Sequence, residues 1–128
     1  MRLIRVVDLE TTGTTASDAA PCEIGAIDVV EGADGWVIDM SSTVDQLCNP
    51  SRKIPPEVSA IHHIIDSDVE GQPFWPKAIA ECARTDDAMF APDVFCAHNA
   101  RFERQWFTDE VTRNTPWICT YKCALRIW

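Results

Sequence analysis

Val6-Val7-Asp8-Leu9-Glu10-Thr11-Thr12-Gly13 is the stretch on which the fold of this sequence turns. A β-branched run from Leu3 to Leu9 predicts a strand. The strand's two-residue alternation sets Asp8 and Glu10 on one face, about 7 Å apart along the chain, while Leu9 points the other way. Carboxylates held that close raise each other's pKa and resist joint ionisation unless a cation lies between them. Hard oxygen ligands of this kind suit Mg²⁺ or Mn²⁺. For a lone D-x-E the simpler reading is a strand end whose acids enter solvent. Here Thr11, Thr12 and Gly13 follow with two hydroxyls and a permissive backbone that a ligand can approach closely.

Outward from this run, Cys22 to Val30 predicts a second strand, with Ile24 and Ala26 on one side and Asp28 in register to join them. Glu31-Gly32-Ala33-Asp34-Gly35 reads as a hairpin turn into a third strand from about Trp36 to Thr43. After a proline-restricted loop, Pro56 begins a short helix carrying Glu57, Ala60 and Ile61. Asp66-Ser67-Asp68 supplies N-cap chemistry for another short turn, and Pro76 starts a helix reaching about Arg84. Val94 to Ala97 is a buried strand. Asn99 is expected to cap a helix over about Ala100 to Val111, with Phe102, Trp106 and Phe107 as its apolar stripe. Pro116 to Cys119 forms the last strand, and Thr120 caps a helix running through Trp128. Three strands followed by alternating helices and strands predict an α/β fold, a mixed sheet with helices packed on its faces.

The chain has 128 residues, 46% apolar and 24% charged, so one domain over residues 1–128 is expected; disorder, collagen and coiled coil are excluded. The final Ala124-Leu125-Arg126-Ile127-Trp128 stops inside an amphipathic stretch without a C-cap glycine, which predicts a domain incomplete at its C-terminus. Apolar runs are too short to span a membrane, and Asp8 interrupts what a signal peptide would need, so a cytoplasmic protein with no membrane partner is expected. Six cysteines without a C-x-x-C pair are expected to be reduced and mostly buried rather than to bind zinc. A net charge of −9 argues against a protein that simply coats nucleic acid. The excess is uneven: residues 1–100 hold 17 acids and 6 bases, residues 101–128 hold 3 acids and 5 bases. The C-terminal part can therefore face an anion that the rest repels.

A second constellation, Phe95-Cys96-Ala97-His98-Asn99-Ala100-Arg101-Phe102-Glu103, passes from a strand into a helix. Two roles are open to Glu103. It can benefit the helix dipole from the first turn, or reach back toward Asp8 and Glu10.

Together with Cys22-Glu23-Ile24-Gly25-Ala26, Asn49-Pro50-x-x-x-Ile54-Pro55-Pro56-Glu57, Ile61-His62 and Ala97-His98-Asn99-Ala100-x-Phe102, the opening motif resembles the DnaQ-like 3′–5′ exonucleases, the group that includes the epsilon subunits of bacterial DNA polymerase III. The resemblance runs in order across essentially the whole chain and implies a ribonuclease H-like fold. It implies a metal-dependent 3′–5′ exonuclease that hydrolyses terminal phosphodiesters of DNA or RNA to nucleoside 5′-monophosphates. By residue, Asp8 and Glu10 match the first carboxylate ligands, and Glu103 stands where the family usually has aspartate. Glu57 and His62 match positions that touch substrate, and Thr11 and Thr12 would face the terminal nucleotide. The cofactors implied are two divalent ions, Mg²⁺ or Mn²⁺. The partners implied are a single-stranded 3′ end and a polymerase. Arg101, Arg104 and Lys122 lie near enough in sequence to help hold phosphates. His63 and His98 are expected to serve packing or local hydrogen bonding.

The family's third motif, H-x-x-x-x-D, is absent, because every histidine lies at or before His98. The chain as given is therefore expected to cleave weakly or not at all. A haloacid dehalogenase-like phosphatase also places D-x-D-x-T after an apolar strand, but the second acid here is Glu10 and no later Lys plus Asp pair is evident. A degenerate exonuclease-like module that binds nucleic acid or a partner protein without cutting is the non-enzymatic alternative.

Overall fold

The computed structural model of the chain describes residues 1–127; the expected continuation of the last helix into Trp128 lies outside the described residues. The elements, in chain order, are β1 (Leu3–Thr11), β2 (Pro21–Gly32), β3 (Gly35–Leu47), α1 (Pro56–His62), α2 (Asp66–Val69), α3 (Trp75–Ala83), β4 (Val94–Ala97), α4 (Ala100–Glu103), α5 (Asp109–Thr112), β5 (Trp117–Cys119) and α6 (Thr120–Ile127). The five strands form one sheet in the order β3-β2-β1-β4-β5, so β1 is its central strand. β1, β2 and β3 pair antiparallel, and β4 and β5 add in parallel. This is the mixed sheet that the motif order predicts.

The alternation in β1 decides the layering. Leu3, Val7 and Leu9 are buried on one face, and Val7 and Leu9 join a core with Ile24 and Ala26 of β2, Ala78, Ile79, Cys82 and Ala83 of α3, and Trp106 and Phe107. Asp28 does join the buried side, and the reason is Arg5, its register partner. The guanidinium of Arg5 donates to both Asp28 carboxylate oxygens at 2.7 Å. Its remaining N–H groups reach the carbonyls of Cys82, Ala83 and Phe90 at 2.9 to 3.2 Å. The last turn of α3 would otherwise leave such carbonyls unsatisfied in the core. One buried ion pair thus ties β1 and β2 to α3.

Three local expectations change. β3 runs on to Leu47, past the expected end at Thr43, through an irregularity where Ser42 Oγ accepts the Asp28 N–H and donates to the Asp39 carbonyl. The single helix expected over Ala100–Val111 divides into α4 and α5. The first segment ends at Glu103 with Arg104 as its C-cap, and Thr108 caps the second, accepting the Val111 N–H. Trp106 and Phe107, between them, turn into the core. Asn99 makes no side-chain cap bond, and the Thr120 hydroxyl bonds the His98 ring at 3.0 Å.

Candidate active site

Asp8 and Glu10 project from the face of β1 opposite its buried residues, Asp8 exposed and Glu10 partly buried. The register partner of Asp8 is Gly25, so no side chain on β2 closes the space beside that carboxylate. Burial first, and then the neighbouring Asp8 charge, push the Glu10 carboxyl above its usual range; His62 partly offsets this. Glu103 enters from α4 and is 4% exposed. Its Oε2 is buried without a hydrogen-bond partner. Burial pushes the Glu103 carboxyl up to about 7, opposed by its own backbone N–H and reinforced by Asp8. Asp8 is therefore electrostatically coupled to both other acids. Among the described residues, however, no three His, Cys, Asp or Glu side chains come together closely enough to form a ready-made cation site.

The donor chemistry fits a hard divalent cation on one observation above the rest. A buried carboxylate oxygen with no partner is expensive unless a proton or a cation satisfies it. Glu103 has such an oxygen, and its nearest charged influence is another acid.

The loop after β1 is held from within. Thr11 and Thr12 are buried; the Thr11 hydroxyl donates to the Gly13 carbonyl, and the Thr12 hydroxyl accepts the Ala20 N–H at 3.1 Å. His62, the last residue of α1, closes over the same point. Its Nδ1 accepts the Ile64 N–H at 3.1 Å, so the other nitrogen carries the proton of the neutral ring; this tautomer is assigned from the hydrogen-bond pattern. Nε2–H then donates to the Thr11 carbonyl at 3.2 Å, with Cys22 Sγ 3.8 Å away. The chain is pinned where the β1–β2 pairing shifts register, between Glu10 and Thr11. Glu57 stands exposed in the first turn of α1. His63 is the left-handed C-cap of α1, and His98 bonds Thr120. Arg101, Arg104 and Lys122 line a separate groove between α4 and α6.

Two acids were not singled out in the sequence. Glu23 is the cross-strand partner of Glu10, and its carboxyl is raised by burial, then by Asp45 and Glu10. Asp45 of β3 pairs with Gly25. Glu23 lies inside the quoted Cys22–Ala26 segment, so the β1–β2 register was the missing signal. All six cysteines are free, and Cys22, Cys48, Cys82 and Cys96 are buried. No helix among the described residues is long and apolar enough to cross a membrane.

The exonuclease (RNase_T) family model matches residues 6–122. Exodeoxyribonuclease 10 of Escherichia coli K12 is 31% identical over 128 residues, covering 98% of this chain and 49% of the relative. The DNA polymerase III subunit epsilon of Treponema pallidum is 32% identical over 105 residues, covering 82% of this chain and 44% of the relative. The chain thus spans about half the length of the curated relatives it matches. Among solved structures, Exonuclease X in complex with 5′-overhanging duplex DNA superposes with a TM-score of 0.68 at 28% identity, over 98% of this chain and 64% of that one. Escherichia coli Exonuclease I in complex with a dA16 oligonucleotide, at 23% identity and a TM-score of 0.61 over 90% of this chain and 23% of that one, shares the fold.

Proposed function

The chain belongs to the exonuclease family, and from that premise we propose that residues 1–128 form a single domain that hydrolyses terminal phosphodiesters of nucleic acid in the 3′–5′ direction, releasing nucleoside 5′-monophosphates. Asp8, Glu10 and Glu103 would hold the Mg²⁺ or Mn²⁺ ions, two in the family's pattern. Bound there, a divalent ion supplies Lewis-acid charge at the scissile phosphate. The observation that carries this reading is the buried, unpartnered Oε2 of Glu103 beside the charge of Asp8.

The chain's own residues supply positioning. His62, donating to the Thr11 carbonyl, fixes the backbone one residue beyond Glu10. Thr11, Thr12, Glu57 and His62 would border the terminal nucleotide, the two threonines through backbone groups, since their hydroxyls are engaged inside the loop. No histidine follows Glu103 to take a proton from water. General-base assistance is typically worth about 10²–10⁴-fold, so cleavage by the chain as given is expected to be slow. The substrate end is a single-stranded 3′ end, DNA or RNA; the likeness to epsilon supports a polymerase partner, and a cytoplasmic setting belongs to the same reading.

The test is a 5′-labelled single-stranded oligonucleotide incubated with Mn²⁺. Stepwise shortening from the 3′ end that Asp8→Asn abolishes supports hydrolysis. An oligonucleotide retained at full length through prolonged incubation refutes it. That outcome favours instead a binding module without catalysis, a reading supported by the lack of a ready-made three-carboxylate cluster among the described residues.

A further inference from the structure

Four of the five basic residues in the C-terminal 28 positions line one groove. It has a volume of about 780 Å³ and runs between α4 and α6, with Arg101 and Arg104 on one wall and Lys122 and Arg126 on the other. The only acid in its lining is Asp109, which pairs with Arg104 at 3.2 Å. Arg101, Lys122 and Arg126 make no ion pair among the described residues. In a chain of net charge −9 this concentration of unneutralised cations makes a surface that attracts a polyanion. Along each helix the two bases are three or four residues apart, so each wall presents a cation pair on one helical face.

The groove also leads somewhere. Arg101 and Gln105 line it and line a smaller cleft of about 480 Å³ as well, whose other wall is Thr14 and Thr15. Gln105 locks that junction: its side chain accepts the Ala16 N–H and donates to the Thr14 carbonyl, both at 3.0 Å. Thr14 and Thr15 continue directly from the Thr11–Gly13 loop beside the acidic strand. Groove and cleft thus share the wall formed by Arg101 and Gln105, and the cleft's other wall belongs to the loop that follows the acidic strand.

We propose that the α4–α6 groove binds the sugar-phosphate backbone of a nucleic-acid strand whose end lies at Asp8, Glu10 and Glu103. The strand's destination rests on the exonuclease reading; the groove's affinity for its backbone does not. Neutralising about three phosphates of a single strand, one for each unpaired cation, predicts a slope of log K against log salt of about −2, or about twentyfold weaker binding between about 50 mM and 200 mM salt.

Binding of a fluorescent single-stranded oligonucleotide to the chain in EDTA, across a salt series, tests this. Arg101→Glu combined with Arg126→Glu should weaken binding at least about tenfold and flatten the slope by about 1.4 or more. Lys53→Glu combined with Lys77→Glu makes the same change in net charge away from the groove and should cost under about threefold. Equal losses in the two pairs, no loss in the groove pair, or no binding by the parent chain would overturn the proposal. So would displacement of the oligonucleotide by polyglutamate at equal charge, since an acidic protein segment would then be the better occupant. If charge reversal impairs folding, acetylation of the parent chain decides: bound oligonucleotide should protect Lys122 and leave Lys53 and Lys77 reactive, and equal reactivity at Lys122 would refute the groove. Failure of the exonuclease reading looks different, with the parent chain binding the strand in EDTA yet leaving it uncut in Mn²⁺.

Discussion

Replacing Glu103 by Gln should make this domain more stable at alkaline pH, the reverse of the usual effect of altering a buried polar residue. Burial holds the Glu103 carboxyl at about 7 against a reference of 4.5, and the folded chain therefore keeps a proton that the unfolded chain has already released. For an acid whose folded pKa is raised, the stabilising state is the protonated one. Its contribution is intact below about 4.5 and is lost as pH climbs through about 7. A difference of this size corresponds to about 3 kcal/mol at pH 8, which for a domain of 128 residues is about 10 °C in melting midpoint. Glu103→Gln keeps the shape and deletes the charge. Thermal melts in EDTA from about pH 5 to pH 8 should show the variant's advantage growing from nothing to several degrees. At pH 8 a divalent cation should recover the same energy in the parent chain: Mn²⁺ at a hundredfold excess over its Kd adds about 2.7 kcal/mol. The variant, lacking one ligand, should gain much less. Parallel pH profiles for the two chains, or a variant less stable than the parent at pH 8, would refute the claim that Glu103 is a strained, cation-seeking carboxylate.

Asp28→Ala should be among the most damaging single changes in the sheet. It strands the Arg5 guanidinium in the core, where the pair's side chains are 3% and 4% exposed, at a cost of about 3–5 kcal/mol readable as a lower urea midpoint; a loss under about 1 kcal/mol would show that the site is wetter than its geometry implies. Thiol labelling should separate the cysteines sharply. Cys119 is activated by the backbone N–H groups of Lys122, Ala100 and Tyr121 and by the Lys122 charge, whereas burial pushes Cys22 and Cys48 up to about 12 and Cys82 up to about 11. Iodoacetamide on the native chain should modify Cys119 and the exposed Cys123 first, by peptide mass mapping, and early modification of Cys22 would contradict this order.

What the sequence disclosed of the fold followed from local pattern. Alternation placed Asp8 and Glu10 on one face, and short β-branched or apolar runs located four of the five strands to within a few residues. It failed where a tertiary contact overrides a local tendency. The apolar stripe of Phe102, Trp106 and Phe107 has helical spacing, yet Trp106 and Phe107 are drawn into the core against Phe95 and the sheet, and Thr108 offers a new N-cap to restart the chain. β3 overran its predicted end because Ser42 repairs the pairing around Asp28, a bond between strands that no window along one strand contains. Arg5 interrupts the apolar run of β1, and only the β1–β2 register, set across an irregular connection from Thr12 to Ala20, brings Asp28 opposite it.

The same distinction governs the candidate site. Asp8 and Glu10 were legible because a strand's geometry relates them directly. Glu103 was indicated by the family resemblance while local pattern left two roles open to it, since its position relative to Asp8 depends on the parallel pairing of β4 beside β1 and on where α4 begins. Once that pairing is in place, the extra methylene of a glutamate becomes informative. It carries the carboxylate to a point where burial outweighs every favourable partner and one oxygen has none. Asp68, also in the first turn of a helix, is exposed and accepts the Ile65 N–H at 2.9 Å, whereas Glu103 has only its own backbone N–H to oppose its burial. Glu103 is held away from solvent within reach of the Asp8 charge, an arrangement that costs free energy when the carboxyl ionises without a cation. Recovery of this cost on binding a cation is what the proposed metal site requires, and the pH-dependent melts of Glu103→Gln with and without Mn²⁺ test it.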